Sequence, residues 1–135
     1  MKKIFLILVL TALSFQAPAH EGHDHDGKTV QAPKGGVIKS LESHHIEVVT
    51  KGQEFRIYIY DANMKLQDPA PFKVSAQAEL PRTKKKESLT LKTENSVLIG
   101  SHEAKGWHRY TLILSVTPPT EAHTDTLKFT IEPKK

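Results

Sequence analysis

Tyr110-Thr111-Leu112-Ile113-Leu114-Ser115-Val116 places Tyr110, Leu112, Leu114 and Val116 two residues apart. Successive side chains of a strand point to opposite faces, so this spacing puts one apolar row on one side of an extended chain. Pro118-Pro119 ends the segment, because proline cannot continue a ladder.

The same period recurs in both directions. Upstream, Phe72, Val74, Ala76, Ala78 and Leu80 alternate, and so do Phe55, Ile57 and Ile59 within Phe55-Arg56-Ile57-Tyr58-Ile59-Tyr60. Ile46 and Val48 share one face of a segment running from His44 to Thr50, with His45, Glu47 and Val49 on the other. This segment pairs with Gly36 to Lys39 as a first hairpin. Leu89 and Leu91 follow a basic tip, Arg82 to Lys86, and Val97 to Ser101 leads to Lys105-Gly106, read as a tight turn into the Tyr110 strand. Leu127, Phe129 and Ile131 close the chain.

Turn residues stand every eight to twelve positions and no window carries a helical period. About seven or eight such strands predict a single all-β domain, an antiparallel immunoglobulin-like β-sandwich. A small barrel is the alternative.

The first residues have a different character. Lys2 and Lys3 precede the apolar block Ile4 to Leu13, which ends in Ala17-Pro18-Ala19. This is the layout of a secretory signal peptide over residues 1–19, cut after Ala19. The block is too short to span a bilayer, which takes about 20 residues. A periplasmic or secreted protein with no stable membrane insertion is expected. The chain has no cysteine, so an acyl anchor and a disulfide framework are excluded.

Removal of the signal leaves 116 of 135 residues, enough for one core, and reduces the excess of basic over acidic groups from four to two. With so small a charge, and no aromatic residue in the basic run, nucleic acid is not an expected partner.

Between signal and domain lies His20-Glu21-Gly22-His23-Asp24-His25-Asp26-Gly27. Residues 20–34 lack the apolar surface to offset ordering entropy and are expected as a flexible tail, leaving residues 35–135 as the domain. Neutral imidazole suits zinc, copper and nickel, and carboxylates fill remaining positions. His20, His23, His25, Asp24 and Asp26 are therefore candidate metal ligands, with copper or zinc as the ion. Cleavage after Ala19 makes His20 the first residue, so that its amine and ring could chelate Cu(II) together with a second histidine.

Within the domain, His45 and Glu47 share a strand face and are a candidate pair. His108 joins the candidates through the predicted hairpin, opposite Glu103, and His123 stands before the last strand. His102, expected opposite Arg109, is read as an ordinary hydrogen-bonded or solvent-facing histidine, and His44, on the inward side of its strand, stands open between that and a metal-binding role. No nucleophile triad, paired-acid site or nucleotide loop is evident, so binding rather than catalysis is expected.

The order of the His-rich leader, Ala32-Pro33-Lys34-Gly35-Gly36-Val37-Ile38, His45-Ile46-Glu47-Val48-Val49 and Phe55-Arg56-Ile57-Tyr58-Ile59-Tyr60-Asp61 resembles small periplasmic proteins associated with heavy-metal efflux and resistance. Those usually carry a histidine where this chain has Lys34. Gly106-Trp107-His108-Arg109-Tyr110-Thr111-Leu112, His123 and Leu127 to Ile131 resemble, more weakly, the ending of the copper-resistance C-type (CopC-like) periplasmic chaperones, a likeness that implies His20 and His123 as ligands. It does not extend to a methionine-rich loop: Met64 is the one methionine left after processing.

Together these readings imply an exported metal carrier, buffer or delivery partner, with a metal-efflux envelope complex as its partner. The competing reading is a structural or protein-interaction module whose docking surface is the outward Arg56, Tyr58 and Tyr60.

Overall fold

A computed structural model describes residues 30–104 and 106–133. Residues 1–29, which include the predicted signal peptide and His20, His23, Asp24, His25 and Asp26, lie outside the described residues.

Among the described residues there are nine strands: β1 (Val37–Ser40), β2 (His44–Lys51), β3 (Glu54–Asp61), β4 (Lys73–Glu79), β5 (Lys86–Leu89), β6 (Lys92–Glu94), β7 (Val97–Ser101), β8 (Tyr110–Thr117) and β9 (Asp125–Ile131). They form a five-stranded sheet, β1-β2-β3-β7-β6, and a four-stranded sheet, β5-β4-β8-β9. Every pairing is antiparallel. The fold is an all-β sandwich.

The alternation read from the sequence sets what faces the middle. Ile46, Val48, Phe55, Ile57 and Ile59 from one sheet meet Ala76, Ala78, Tyr110, Leu112, Leu114, Val116, Phe129 and Ile131 from the other in a continuous buried core. Register preserves this: Ala76 pairs with Leu114 and Leu112 with Phe129, so apolar rows line up across three strands. A slip of one residue would turn each row to solvent.

Two connections late in the chain cross between the sheets, the second in place of the predicted hairpin. Leu89 and Leu91 do not share a strand, because β5 belongs to the four-stranded sheet and β6 to the five-stranded one, with the chain crossing between them at Thr90-Leu91. Both leucines still pack against the core. The segment from His102 to Arg109 is likewise a crossover between the sheets and not a tight hairpin, since β7 pairs with β3 and β6 while β8 pairs with β4 and β9. The faces of His102–Arg109 and Glu103–His108 predicted from that hairpin therefore do not form.

The five-stranded sheet is also covered on its far side. Tyr58, Tyr60 and Val97 are buried there beneath Ile38, Val49, Met64 and Ile99. Of the docking surface expected at Arg56, Tyr58 and Tyr60, Arg56 alone is exposed, and its guanidinium holds Glu54 at 2.8 Å.

Gly100 pairs with Phe55, and a Cβ on it would collide with that ring. Gly100→Ala is expected to lower unfolding free energy by about 1–3 kcal/mol, through displacement of the ring from the core. A urea midpoint unchanged from the parent would refute this packing account.

Candidate metal centre

The connection between β8 and β9 begins with a turn in which the Glu121 N–H donates to the Pro118 carbonyl at 3.2 Å. Pro119 takes the second position, where its fixed φ favours such turns. Thr117 and Thr124 hydroxyls, 2.7 Å apart, close the loop above it. From Glu121 the chain runs Glu121-Ala122-His123-Thr124-Asp125, and the three polar side chains, spaced by two, converge.

The Nε2 of His123 lies 3.3 Å from Glu121 Oε2 and 3.4 Å from Asp125 Oδ2. Both oxygens are shielded from solvent, and neither has a hydrogen-bond partner among the described residues. Glu42, from the tip of the β1–β2 hairpin, brings a carboxylate oxygen into the same cluster, with the donor atoms of Glu42, Glu121 and His123 all within 4.8 Å of one another.

The two sheets are tied together at this point. The Ser43 hydroxyl donates to Glu121 Oε1 at 2.6 Å and sits 2.9 Å from His44 Nδ1. A hydroxyl has one proton, and the carboxylate takes it, so His44 Nδ1 must be the donor to the serine oxygen. This relay occupies Oε1 and leaves Oε2 facing His123.

Lone pairs on an unprotonated Nε2 and two carboxylate oxygens repel at such separations unless a positive charge sits among them. Bonds of about 2.0–2.1 Å from a tetrahedral Zn²⁺ place neighbouring ligand atoms about 3.3 Å apart. The separations of 3.3 and 3.4 Å match that edge. His123 is exposed on its outer side and so is Glu42, leaving an approach for an ion. One imidazole with carboxylates is a donor set for a borderline divalent cation.

The other candidate residues stand elsewhere. The ring of His45 is 2.8 Å from Ser40 Oγ through Nδ1. His108 is exposed in the crossover before β8, outside the cluster. His102 is buried, its ring edge-on to Tyr110 with centroids 4.7 Å apart, and its Nε2 has no hydrogen-bond partner among the described residues.

Glu47, expected as a ligand beside His45, has a different task. It is fully buried, and its carboxylate accepts from the Lys34 N–H (3.1 Å to each oxygen), the Gly36 N–H (2.8 Å) and the Tyr60 hydroxyl (2.8 Å). These four contacts use the lone pairs a metal would need. Gly36 allows the approach, since a Cβ there would strike the Val48 carbonyl. Lys34, placed in the tail by composition, is thereby held, with its Nζ 5.7 Å above the Tyr58 ring.

No protein-family model and no curated protein matches the chain. Among solved structures, it is similar to FetP of uropathogenic E. coli strain F11, crystallised as isolated after expression in the periplasm of E. coli BL21(DE3). The TM-score is 0.51 at 8% identity, over 74% of this chain and 95% of FetP. The likeness is one of fold.

Two outcomes follow from the Glu47 latch. Glu47→Ala leaves two amides and a phenol without their acceptor and is expected to cost at least ~3 kcal/mol in urea unfolding, while leaving affinity for Zn(II) unchanged in calorimetry; a fall in affinity would return Glu47 to the ligand set. Burial, with donation to Glu47, raises the Tyr60 phenol above its ordinary range, and burial pushes Tyr110 up to about 12. Above the ordinary value of about 10 the native state then binds more protons than the unfolded chain. The urea midpoint should be insensitive to these phenols below pH ~10 and fall as pH rises from there toward 12; a midpoint that rises across that window would contradict the assignment.

Proposed function

We propose that the protein is an exported, non-catalytic metal-binding protein, a carrier or buffer for copper or zinc that serves a metal efflux or resistance system of the cell envelope. The observation that carries this reading is the pair of shielded, unpartnered oxygens on Glu121 and Asp125 facing His123 Nε2. The signal-like first residues supply the export route, and FetP, of like fold, was itself produced in the periplasm.

In this reading the His20–Asp26 segment gathers ions and the fixed site holds one. An extended chain covers about 3.3–3.6 Å per residue, so His25 reaches roughly 30 Å from Lys34. The stretch from Gly36 to Glu42 at the hairpin tip covers at most about 20 Å. The tail is therefore long enough to hand an ion to the cluster. The exposed outer sides of His123 and Glu42 give an ion a way in and out, as capture and release require.

The competing reading is a clasp: a proton on His123 in place of a metal, joining the Glu121 and Asp125 carboxylates and stabilising the β8–β9 connection. Calorimetry separates the two. The exported protein lacking residues 20–27 should still bind one Zn(II) or Cu(II), and His123→Ala in that background should weaken binding at least tenfold. Equal affinity with and without His123, accompanied by lost stability, would establish the clasp and end the carrier reading for this site.

A further inference from the structure

At the other end of β8, roughly 24 Å from the cluster by strand rise, the four-stranded sheet carries a groove of about 310 Å³. Its floor is a cross-strand row on the outer face: Glu79 of β4 pairs with Thr111 of β8, which pairs with Thr130 of β9. Its walls are cationic, with Arg82 and Lys84 from the β4–β5 turn on one side and Arg109 from the start of β8 on the other.

Among the described residues, none of these three cations has a carboxylate within 4.0 Å. The ion pairs there are those of Arg56 with Glu54, Lys86 with Glu79, and His123 with Glu121 and Asp125. Glu79, the acidic side chain at the β4 end of the floor, has Lys86 Nζ 4.0 Å away, so one carboxylate faces three cations in the groove.

The turn that holds two of them is in an unusual conformation. Arg82 and Lys84 have φ of 68° and 51°, the left-handed region that disfavours residues with a Cβ. The turn is pinned by Leu80 N–H to Lys85 C=O (3.0 Å), Thr83 N–H to Pro81 C=O (2.8 Å) and Lys85 N–H to Thr83 Oγ1 (3.3 Å). Glycine or asparagine would sit there at lower cost. Strained positions occupied by long cationic side chains beside a groove point to a use for those side chains.

We propose that this groove is a second site, specific for a phosphate group. Arg82 and Arg109 supply forked N–H donors that match phosphate oxygens, Lys84 adds a point charge, and the Thr111 and Thr130 hydroxyls donate from the floor. The phosphate belongs either to a small solute or to a lipid headgroup at the membrane surface, and the chemistry that binds it is the same. The site is independent of the metal reading, because no residue is shared.

The test is an amide-resolved NMR titration of the exported protein with pyrophosphate, beside co-sedimentation with vesicles of phosphatidylglycerol in phosphatidylcholine. Saturable shifts confined to Arg82, Lys84, Arg109, Thr111 and Thr130, absent with equal ionic strength of chloride, are expected for a small solute. Sedimentation with the anionic vesicles, without saturation by pyrophosphate, assigns the headgroup. In either case Arg82→Gln with Arg109→Gln should weaken binding at least tenfold, and Lys84→Gln alone should weaken it by less. All three side chains are exposed, and an unchanged urea midpoint with retained amide dispersion verifies that the variants fold. Dispersed, non-saturating shifts with no sedimentation, or binding that the double variant leaves intact, would overturn the proposal.

Discussion

The hydrogen bond from Ser43 to Glu121 joins the tip of the β1–β2 hairpin to the turn between β8 and β9, and so connects the ends of two sheets whose shared core is apolar. It spans 78 positions of sequence. By occupying one oxygen of Glu121 it fixes the direction of the other, and the candidate centre depends on that direction. Without it, Glu42 and His123 would be two exposed side chains on separate loops. With it, donor atoms from both sheets share one small volume.

The sandwich holds two buried or shielded acidic sites with opposite characters. Glu47 is surrounded by N–H and O–H donors, and its charge is satisfied by the protein itself. Glu121 and Asp125 present oxygens to an imidazole nitrogen with no described proton donor to meet them. A carboxylate with its donors in place is a structural part, whereas one that lacks them requires a cation or a proton from outside. This difference, more than residue type, separates the latch from the site.

Much of the fold was legible because the inner rows obey a strict period of two. Apart from Leu80, at the end of its row, every inward residue read on the Phe55, Ala76, Leu112 and Phe129 segments lies in or against the core. What escaped was connectivity. A Leu89–Leu91 spacing is the same whether the chain stays in one sheet or crosses to another, and a Lys105-Gly106 pair suggests a turn wherever it stands. Tyr58 and Tyr60 alternate outward as read, yet outward on this sheet means beneath a second apolar layer. The latch was hidden for a similar reason: the backbone amides that hold Glu47 leave no residue-type signature.

The site was half legible. His123 was among the candidates, and the two-residue spacing of Glu121, His123 and Asp125 in an extended segment contains the signal for its carboxylate neighbours. Glu42 could not be found this way, because it reaches the cluster through the packing of one sheet's end on the other. The most direct measurement is anomalous scattering at the zinc edge from crystals of the protein grown with Zn(II). The account predicts a peak about 2.0–2.2 Å from His123 Nε2 and Glu121 Oε2. Well-ordered crystals with zinc bound elsewhere and none between these two atoms would contradict it.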